Sequence, residues 1–338
     1  MRNDPARATL EPVNRTLRAA VIGLGSMGAN HARVLADTPG VELVAVADPD
    51  AERVRKAIQG RPIPGFASPA ALLAETPGAV ILDFKHYFKN VPAYALLLRR
   101  LRKRGWVTAI YHIDAPWNNG LQPWRYALIK ALFWPVDIFF THAITADAPS
   151  RSRVVYLPNA CGLELCDTTG AVPDFDVGFC GNFSEKNVEH RKRIRLLEEL
   201  KTRFAVAGIS FRIQQDNGRM ETWIEHARRC RLQLSVGSAA DRPDWMSPGL
   251  PARMYGLAAI GCLTLIEPRA HLGDDFPPPH DLPTYEGPDD CVQKAREILR
   301  DPVGLINRRK KLMAFARARH LYKNRLETVV QTMGQHLE

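Results

Sequence analysis

The sequence predicts an α/β protein built from two Rossmann-like lobes facing a cleft. Three observations carry that prediction: the length, a recurring alternation of strand and helix patterns, and a break in that alternation near the middle. At 338 residues and 46% apolar content, the chain exceeds one ordinary core and suits two α/β domains. Apolar, strand-like runs followed by helical periodicity recur at 18–23, 41–48, 79–85, 107–114, 136–142 and 154–158. This is the pattern of parallel strands with helices on both faces. Residues 161–174 (CGLELCDTTGAVPD) lose it, and a second series runs through 177–180, 205–213, 232–236, 262–266 and 283–285. The expected organisation is a disordered arm over 1–17, a first lobe over 18–160, a linker over 161–174 and a second lobe over 175–338 that ends in a closing C-terminal helix.

The first strand runs into Gly23-Leu24-Gly25-Ser26-Met27-Gly28, and the second ends at Asp48, about twenty residues beyond the last glycine,. In such a unit Gly23 allows the tight turn, Gly25 lets backbone approach a pyrophosphate, Gly28 permits close helix packing, and Asp48 could accept from a ribose hydroxyl. The competing reading is a glycine turn that only closes a strand–helix unit. In the second lobe, 249–267 (GLPARMYGLAAIGCLTLIE) reads as a loop, a short helix and a buried strand,. The start of that helix offers the amides of Ala252 and Met254, with Arg253 in the first turn, to a diphosphate.

The run VIGLGSMGANHARVLADTPGVELVAVADPDAERV resembles the opening of the Gfo/Idh/MocA oxidoreductases, and the likeness extends to about Val80. That resemblance implies an NAD(P)-dependent sugar dehydrogenase. However, the family's Glu-Lys-Pro segment with its catalytic lysine is missing, and Lys85 in LDFKHYFKNVPAY is the nearest substitute, read more simply as a solvated lysine. From about Leu82 onward the chain resembles the CgeB-like, group 1 glycosyltransferases, on RRLRKRGWVTAIYHIDAP (99–116), VDIFFTH (136–142), VVYLPNA (154–160), VGFCGNF (177–183), 249–269 and RARHLYKNRLETVV (317–330). The resemblance implies a GT-B type fold and transfer of a sugar from a nucleotide-sugar donor to a glycan or other hydroxyl acceptor, in glycoconjugate or polysaccharide synthesis. It implies no required cofactor, with NAD(P) entering only under the dehydrogenase alternative. A nucleotide- or glycan-binding protein without activity is the third reading.

Sugar transfer needs a cradle for the diphosphate, positive charge to stabilise it and a pocket for the acceptor. Gly181 and Asn182 end the second lobe's first strand, Lys186 or Arg191 follows, and Arg253 with Ala252 and Met254 faces them. Glu267 resembles a retained family position at a strand end. In the first lobe Asp114 resembles the family's Asp-Pro acid and could deprotonate the acceptor, with His112 two residues earlier on the same strand face. Asp114 is equally readable as a turn former. His142 is a weaker candidate, and Trp117, Trp124 and Trp134 are either groove or packing residues. Where the family carries Arg-x-Phe-Glu, this chain has Arg253-Met254-Tyr255-Gly256, so the acid expected to hold the donor ribose is a glycine.

The formal charge of +10 implies anionic partners. Its clusters at 99–104, 190–195 and 308–325 lie in amphipathic helices, and no zinc-finger or RNA-recognition pattern accompanies them, which argues against nucleic acid. Six cysteines without a CxxC pair read as reduced core residues, and the transferase is expected to be metal-independent. No segment reads as a membrane span, and the first fifteen residues have no apolar leader core. The expected location is cytoplasmic, with peripheral contact to an anionic membrane open to the basic helices.

Overall fold

A computed structural model describes residues 16–24, 26–72, 78–83, 87–88, 90–112, 122–144, 151–162, 166–183, 188–216, 220–238, 241 and 245–337. The first fifteen residues of the expected arm lie outside these, and the first strand already begins at Leu17.

The amino-terminal half forms β1 (Leu17–Ile22), β2 (Val41–Ala47) and β3 (Gly65–Phe66), then β4 (Ala79–Asp83), β5 (Val107–His112), β6 (Ile138–Thr141) and β7 (Arg153–Tyr156). All the ladders are parallel, in orders β1-β2-β3 and β4-β5-β6-β7. β1 lies against β4, so the strands follow one another as 3-2-1-4-5-6-7. Strand order therefore reverses at β1, where the glycine loop begins. Helices α1 (Ser26–Ala36), α2 (Ala51–Ile58), α3 (Pro69–Leu72), α4 (Val91–Lys103) and α5 (Pro123–Phe133) make the crossovers. Parallel neighbours require such connections, because a tight hairpin cannot join them.

The second lobe has β8 (Phe175–Gly181), β9 (Phe211–Gln215), β10 (Cys230–Ser235) and β11 (Thr264–Ile266), again parallel, in the order β11-β10-β8-β9. Its first helix, α6 (Val188–Val206), is followed by α7 (Met220–Arg228), α8 (Arg253–Ala259), α9 (Leu272–Asp275), α10 (Gly287–Arg300), α11 (Pro302–Arg319) and α12 (Tyr322–Leu337). The two α/β lobes of parallel sheets flank a cleft, an architecture of GT-B type. The run expected as a strand over 205–213 is split: its first residues finish α6, Gly208 turns the chain with φ +70°, and pairing starts at Phe211. The expected 283–285 strand contributes one bridge, Thr284 to Ile266.

Each lobe has its own apolar core. Val177, Phe179, Leu232, Leu234 and Leu265 meet Leu197, Leu200 and Phe204 in the second, whereas Leu98, Ile110, Tyr126, Trp134 and Phe139 pack together in the first. Trp134 is thus a core residue, its indole N–H donating to Ser152 Oγ at 2.8 Å, while Trp124 is exposed. Trp117 lies outside the described residues. The expected linker is tied down where it is described. Buried Thr168 donates to Ile260 O at 2.7 Å, and buried Arg309 donates to Thr168 O at 2.8 Å. The closing helix returns to the first lobe, where Val329 and Met333 join Val107, Ala109, Ile138 and Phe140. Among the described residues every cysteine is a free thiol, with Cys161 buried and Cys166 exposed.

Candidate functional site

In an open α/β sheet, ligands collect beyond the carboxyl ends of the strands where strand order reverses. The second lobe has that crevice between β8 and β10, which are neighbours although β9 intervenes in sequence. Gly181 closes β8, and Val236 and Gly237 follow β10 there.

Two arginines converge on this point. Arg253, the first residue of α8, places its guanidinium over the ring of Phe179, 5.6 Å from the centroid. Its Nη2 donates to Ser235 Oγ at 3.2 Å, Val236 O at 3.3 Å and Gly237 O at 3.1 Å. Arg193, from α6, lies over the same ring at 5.9 Å and donates through Nε to Val236 O at 2.9 Å and through Nη1 to Asn182 O at 3.0 Å. All of Arg253's hydrogen bonds go to neutral oxygens, and no described carboxylate pairs with it. Burial, then Arg193 and Arg269, pull its pKa down to about 10, so it stays cationic at neutral pH. A buried cation held by neutral groups beside like charges is costly without a counter-anion.

Gly181 is needed at this spot. A Cβ there would come within 2.6 Å of the Phe179 ring and 3.6 Å of Arg253 Nη1, so the ring beneath the guanidinium leaves no room for a side chain. The loop after β10 is also gripped by its amides. Gly237, at φ +60°, donates its N–H to Glu267 Oε2 at 2.6 Å. Asp241 accepts from Ser238 N at 2.6 Å and Ser247 N at 2.9 Å and pairs with buried Arg269 through two bonds of 2.9 and 2.8 Å. Asp241 therefore balances the charge of Arg269, whereas no described carboxylate balances Arg253.

The structure redistributes the expected donor residues. Gly181, Asn182, Arg253 and Glu267 gather at this crevice, although a carboxylate such as Glu267 would repel phosphate and suits hydroxyl groups. Arg191 is exposed on α6, and Lys186 lies outside the described residues. The amide of Met254 already donates to Pro251 O at 2.9 Å. Helix α8 has only seven residues and Ala252 gives it no side-chain cap, so phosphate attraction rests on the Arg253 side chain rather than on the helix end. Gly256 packs under Trp223, where a Cβ would be 3.1 Å from the indole. A side chain at this position would press on the indole. Arg193 was missed, yet its signal is legible: Arg193, Leu197, Leu200 and Phe204 fall on one helical face and all are buried,.

On the first lobe, His112 ends β5 and His142 follows β6, and both are buried. Burial and the neighbouring His142 push His112 down to about 3. Burial, His271 and Arg269 push His142 down to about 4. Both imidazoles are neutral at pH 7. His142 Nδ1 is buried without a described partner. Gly249 of the second lobe sits directly on it, since a Cβ there would be 2.1 Å from His142 Cδ2. Asp114 lies outside the described residues.

Further lobe contacts lie beside this one. Tyr156 of β7 and Tyr255 of α8 both donate to Asp275 Oδ2, at 2.8 and 2.6 Å, and Asn159 donates to Leu250 O at 3.1 Å. Burial raises Asp275 to about 6 against the two phenol donors. His320 of the closing segment contacts Asp275 O through Nε2 at 2.8 Å and receives Arg325 at Nδ1, 2.6 Å.

The amino-terminal fingerprint is differently arranged. Gly23 takes φ +87°, and a Cβ on Gly28 would overlap Gly23 O at 1.7 Å, so both glycines are sterically required. Asp48, buried, accepts from Leu24 N at 2.5 Å through one oxygen and from Asp50 N at 2.9 Å through the other. These backbone donors, Leu24 first, hold its pKa below the ordinary carboxylate value. The carboxylate expected on a ribose is engaged by its own loop. Gly25 and Lys85 lie outside the described residues. Among the described residues no cluster of three His, Cys, Asp or Glu could hold a metal ion, and no helix is long and apolar enough to cross a membrane.

Comparison with known proteins adds two partial family matches. A model described as "Glycosyl transferase-like" matches residues 190–331, and one described as "Oxidoreductase family, NAD-binding Rossmann fold" matches residues 17–97. Each covers less than half of the chain. No curated protein matches. Among solved structures, a lipopolysaccharide outer core galactosyltransferase is similar at 10% identity and TM-score 0.54, over 94% of this chain and 100% of that one. A glycosyltransferase from Rickettsia africae is similar at 8% identity and TM-score 0.51, over 96% and 99%. The WlbA dehydrogenase from Bordetella pertussis, solved with NADH and UDP-GlcNAcA, is 20% identical over 30% of this chain, with a TM-score of 0.24. The chain spans only 28% of that dehydrogenase. For the two glycosyltransferase structures, at these identities, the likeness is one of fold.

Proposed function

We propose that the protein is a glycosyltransferase that takes a sugar from a nucleotide-sugar donor bound at the β8/β10 crevice and passes it to a hydroxyl acceptor on the first lobe. The observation that carries the reading is Arg253: a part-buried guanidinium with neutral oxygen partners, close beside Gly181 at the strand-order reversal of the second lobe. The partial glycosyltransferase-like match over this same lobe and the GT-B architecture support it.

In the proposed reaction the acceptor oxygen attacks the anomeric carbon, the bond from that carbon to the diphosphate oxygen breaks, and its electron pair leaves on the diphosphate. Arg253 and Arg193 stabilise the charge that develops there, the role of preorganised donors in a dry site. The acceptor proton passes to Asp114, with neutral His112 accepting a hydrogen bond that orients the hydroxyl. Glu267 holds a donor hydroxyl. No bound cofactor takes part in this scheme, and charge stabilisation falls to the arginines rather than to a metal. The polymer or conjugate being built, and a cytoplasmic setting, belong to the same reading.

A second reading, an NAD(P)-dependent oxidoreductase, draws on Gly23 and Gly28, whose geometry fits a dinucleotide loop. Asp48 counts against it, since the ribose acceptor is already bonded to Leu24 N. A thermal-shift screen of nucleotides and nucleotide sugars separates the readings, because a ligand of the native state raises the melting temperature. Stabilisation by a UDP- or GDP-sugar, followed by donor turnover that Arg253→Ala abolishes, supports the transferase. Stabilisation by NADH with hydride transfer to a sugar overturns it, and donor binding without turnover on any acceptor favours a binding protein.

A further inference from the structure

Helix α5 (Pro123–Phe133, PWRYALIKALF) is apolar on both sides. Its inner face supplies Tyr126 and Ile129 to the first lobe's core, whereas Trp124, Leu128 and Leu132, spaced four residues apart on the opposite face, are 63%, 47% and 56% exposed. A helix that is apolar all round belongs inside a protein or against another apolar phase. Its neighbour α4 (Val91–Lys103) adds Leu96, 50% exposed, followed on the same face by Arg99 and Lys103. The two helices are locked together at this edge: Arg99 donates to Leu132 O at 2.9 Å, and Arg151 caps the same helix end through Ala131 O at 3.4 Å.

Charge on this face is one-sided. Residues 90–104 carry Arg99, Arg100, Arg102, Lys103 and Arg104 with no acid, and residues 122–135 carry Arg125 and Lys130 with none. Arg102 pairs with Asp137 at 2.8 Å. Arg125 lies over the Trp124 ring at 5.2 Å, a cation beside an amphipathic ring, as at a membrane interface.

We propose that the outer face of α5, with the basic edge of α4, docks the protein on an anionic lipid surface. The apolar ridge enters the headgroup boundary while Arg99, Arg100, Lys103 and Arg104 meet lipid phosphates. An 11-residue helix of about 16 Å is too short to span, so it lies in the plane of the interface. A second copy fits the face poorly, because a two-fold contact would set basic edges against one another. Nucleic acid leaves the leucine ridge without a partner. The proposal is independent of the donor chemistry.

Flotation of the full chain with phosphatidylcholine vesicles containing about one-third phosphatidylglycerol, against pure phosphatidylcholine vesicles, tests it. The expected result is binding to the anionic vesicles alone, weakened by salt. Leu128→Ser with Leu132→Ser lowers the partition coefficient about ten-fold or more. Arg100→Glu with Lys103→Glu lowers it by at least about as much. Because the altered side chains are exposed, unchanged melting temperatures show that folding is intact. Absence of vesicle binding, equal binding to neutral vesicles, binding indifferent to either double substitution, a dimer dissolved by the leucine pair, or retention by an RNA oligomer without vesicle binding would each overturn it.

Discussion

The molecule carries two loops of the kind that receive nucleotide phosphates, one in each lobe, and they differ in what already occupies them. At the amino-terminal loop Gly23 and Gly28 take the required shape, yet the Asp48 carboxylate is bonded to Leu24 N and fills the role of an anion. At the carboxyl-terminal loop the roles are reversed: the backbone amide of Gly237 is taken by Glu267, while the Arg253 guanidinium is held by neutral oxygens and keeps its charge. A motif can therefore be complete in sequence and internally satisfied in structure. A less regular segment can hold the charge that a ligand would neutralise.

The sharpest way to break this comparison is Arg253→Ala. Affinity for a nucleoside diphosphate is expected to fall about a hundred-fold, on the scale of about 3 kcal/mol for a buried charged contact, by isothermal titration. Arg253→Lys should recover part of it, since a lysine keeps the charge but not the fork. Gly181→Ala comes next. Its methyl would strike Phe179, and an unfolding free energy lower by about 1–3 kcal/mol is expected in urea denaturation, together with weaker diphosphate binding. Should Gly181→Ala bind as well as the parent, the ligand does not approach the chain at Gly181.

Asp48→Asn should cost about 1–2 kcal/mol of stability near neutral pH and leave diphosphate affinity unchanged. The sign of its pH dependence follows from a lowered folded pKa. The carboxylate's contribution is present above the ordinary carboxylate value and lost as pH falls through the folded value, so wild type and variant converge in acid. Asp275, raised to about 6 by burial, has the opposite sign. Its contribution is present below the ordinary value and lost as pH rises through about 6, so the margin of wild type over Asp275→Asn shrinks across that window. Denaturation series at several pH values check both slopes. The smallest effect is expected at Arg191→Ala, within about 0.5 kcal/mol in stability and silent in binding, because that side chain faces solvent while Arg193 faces the crevice.

Much of the fold was legible because parallel strands buried on both faces read as apolar runs and each crossover reads as a helix. The runs at 18–23, 41–48, 107–114 and 154–158 each overlap an observed strand. The short β3 over Gly65–Phe66 was not readable, since two residues give no period. At the site, Gly181, Asn182, Arg253 and Glu267 were legible from their places at strand and helix ends. What was not legible depends on side-chain direction. No spacing rule says that Asp48 turns back onto Leu24, that Met254 N is spent on Pro251 O, or that Trp223 covers Gly256. Arg193 stands on the apolar stripe of α6, whose helical phase turns it inward, while Arg191 is exposed,.

The central claim is that the second lobe's crevice, not the glycine fingerprint, is the nucleotide site. Titration of UDP and of GDP into the wild type, Arg253→Ala and Asp48→Asn tests it most directly. The expected result is saturable binding of at least one of the two nucleotides, lost with Arg253→Ala and kept with Asp48→Asn. Binding that survives Arg253→Ala and disappears with Asp48→Asn would contradict it.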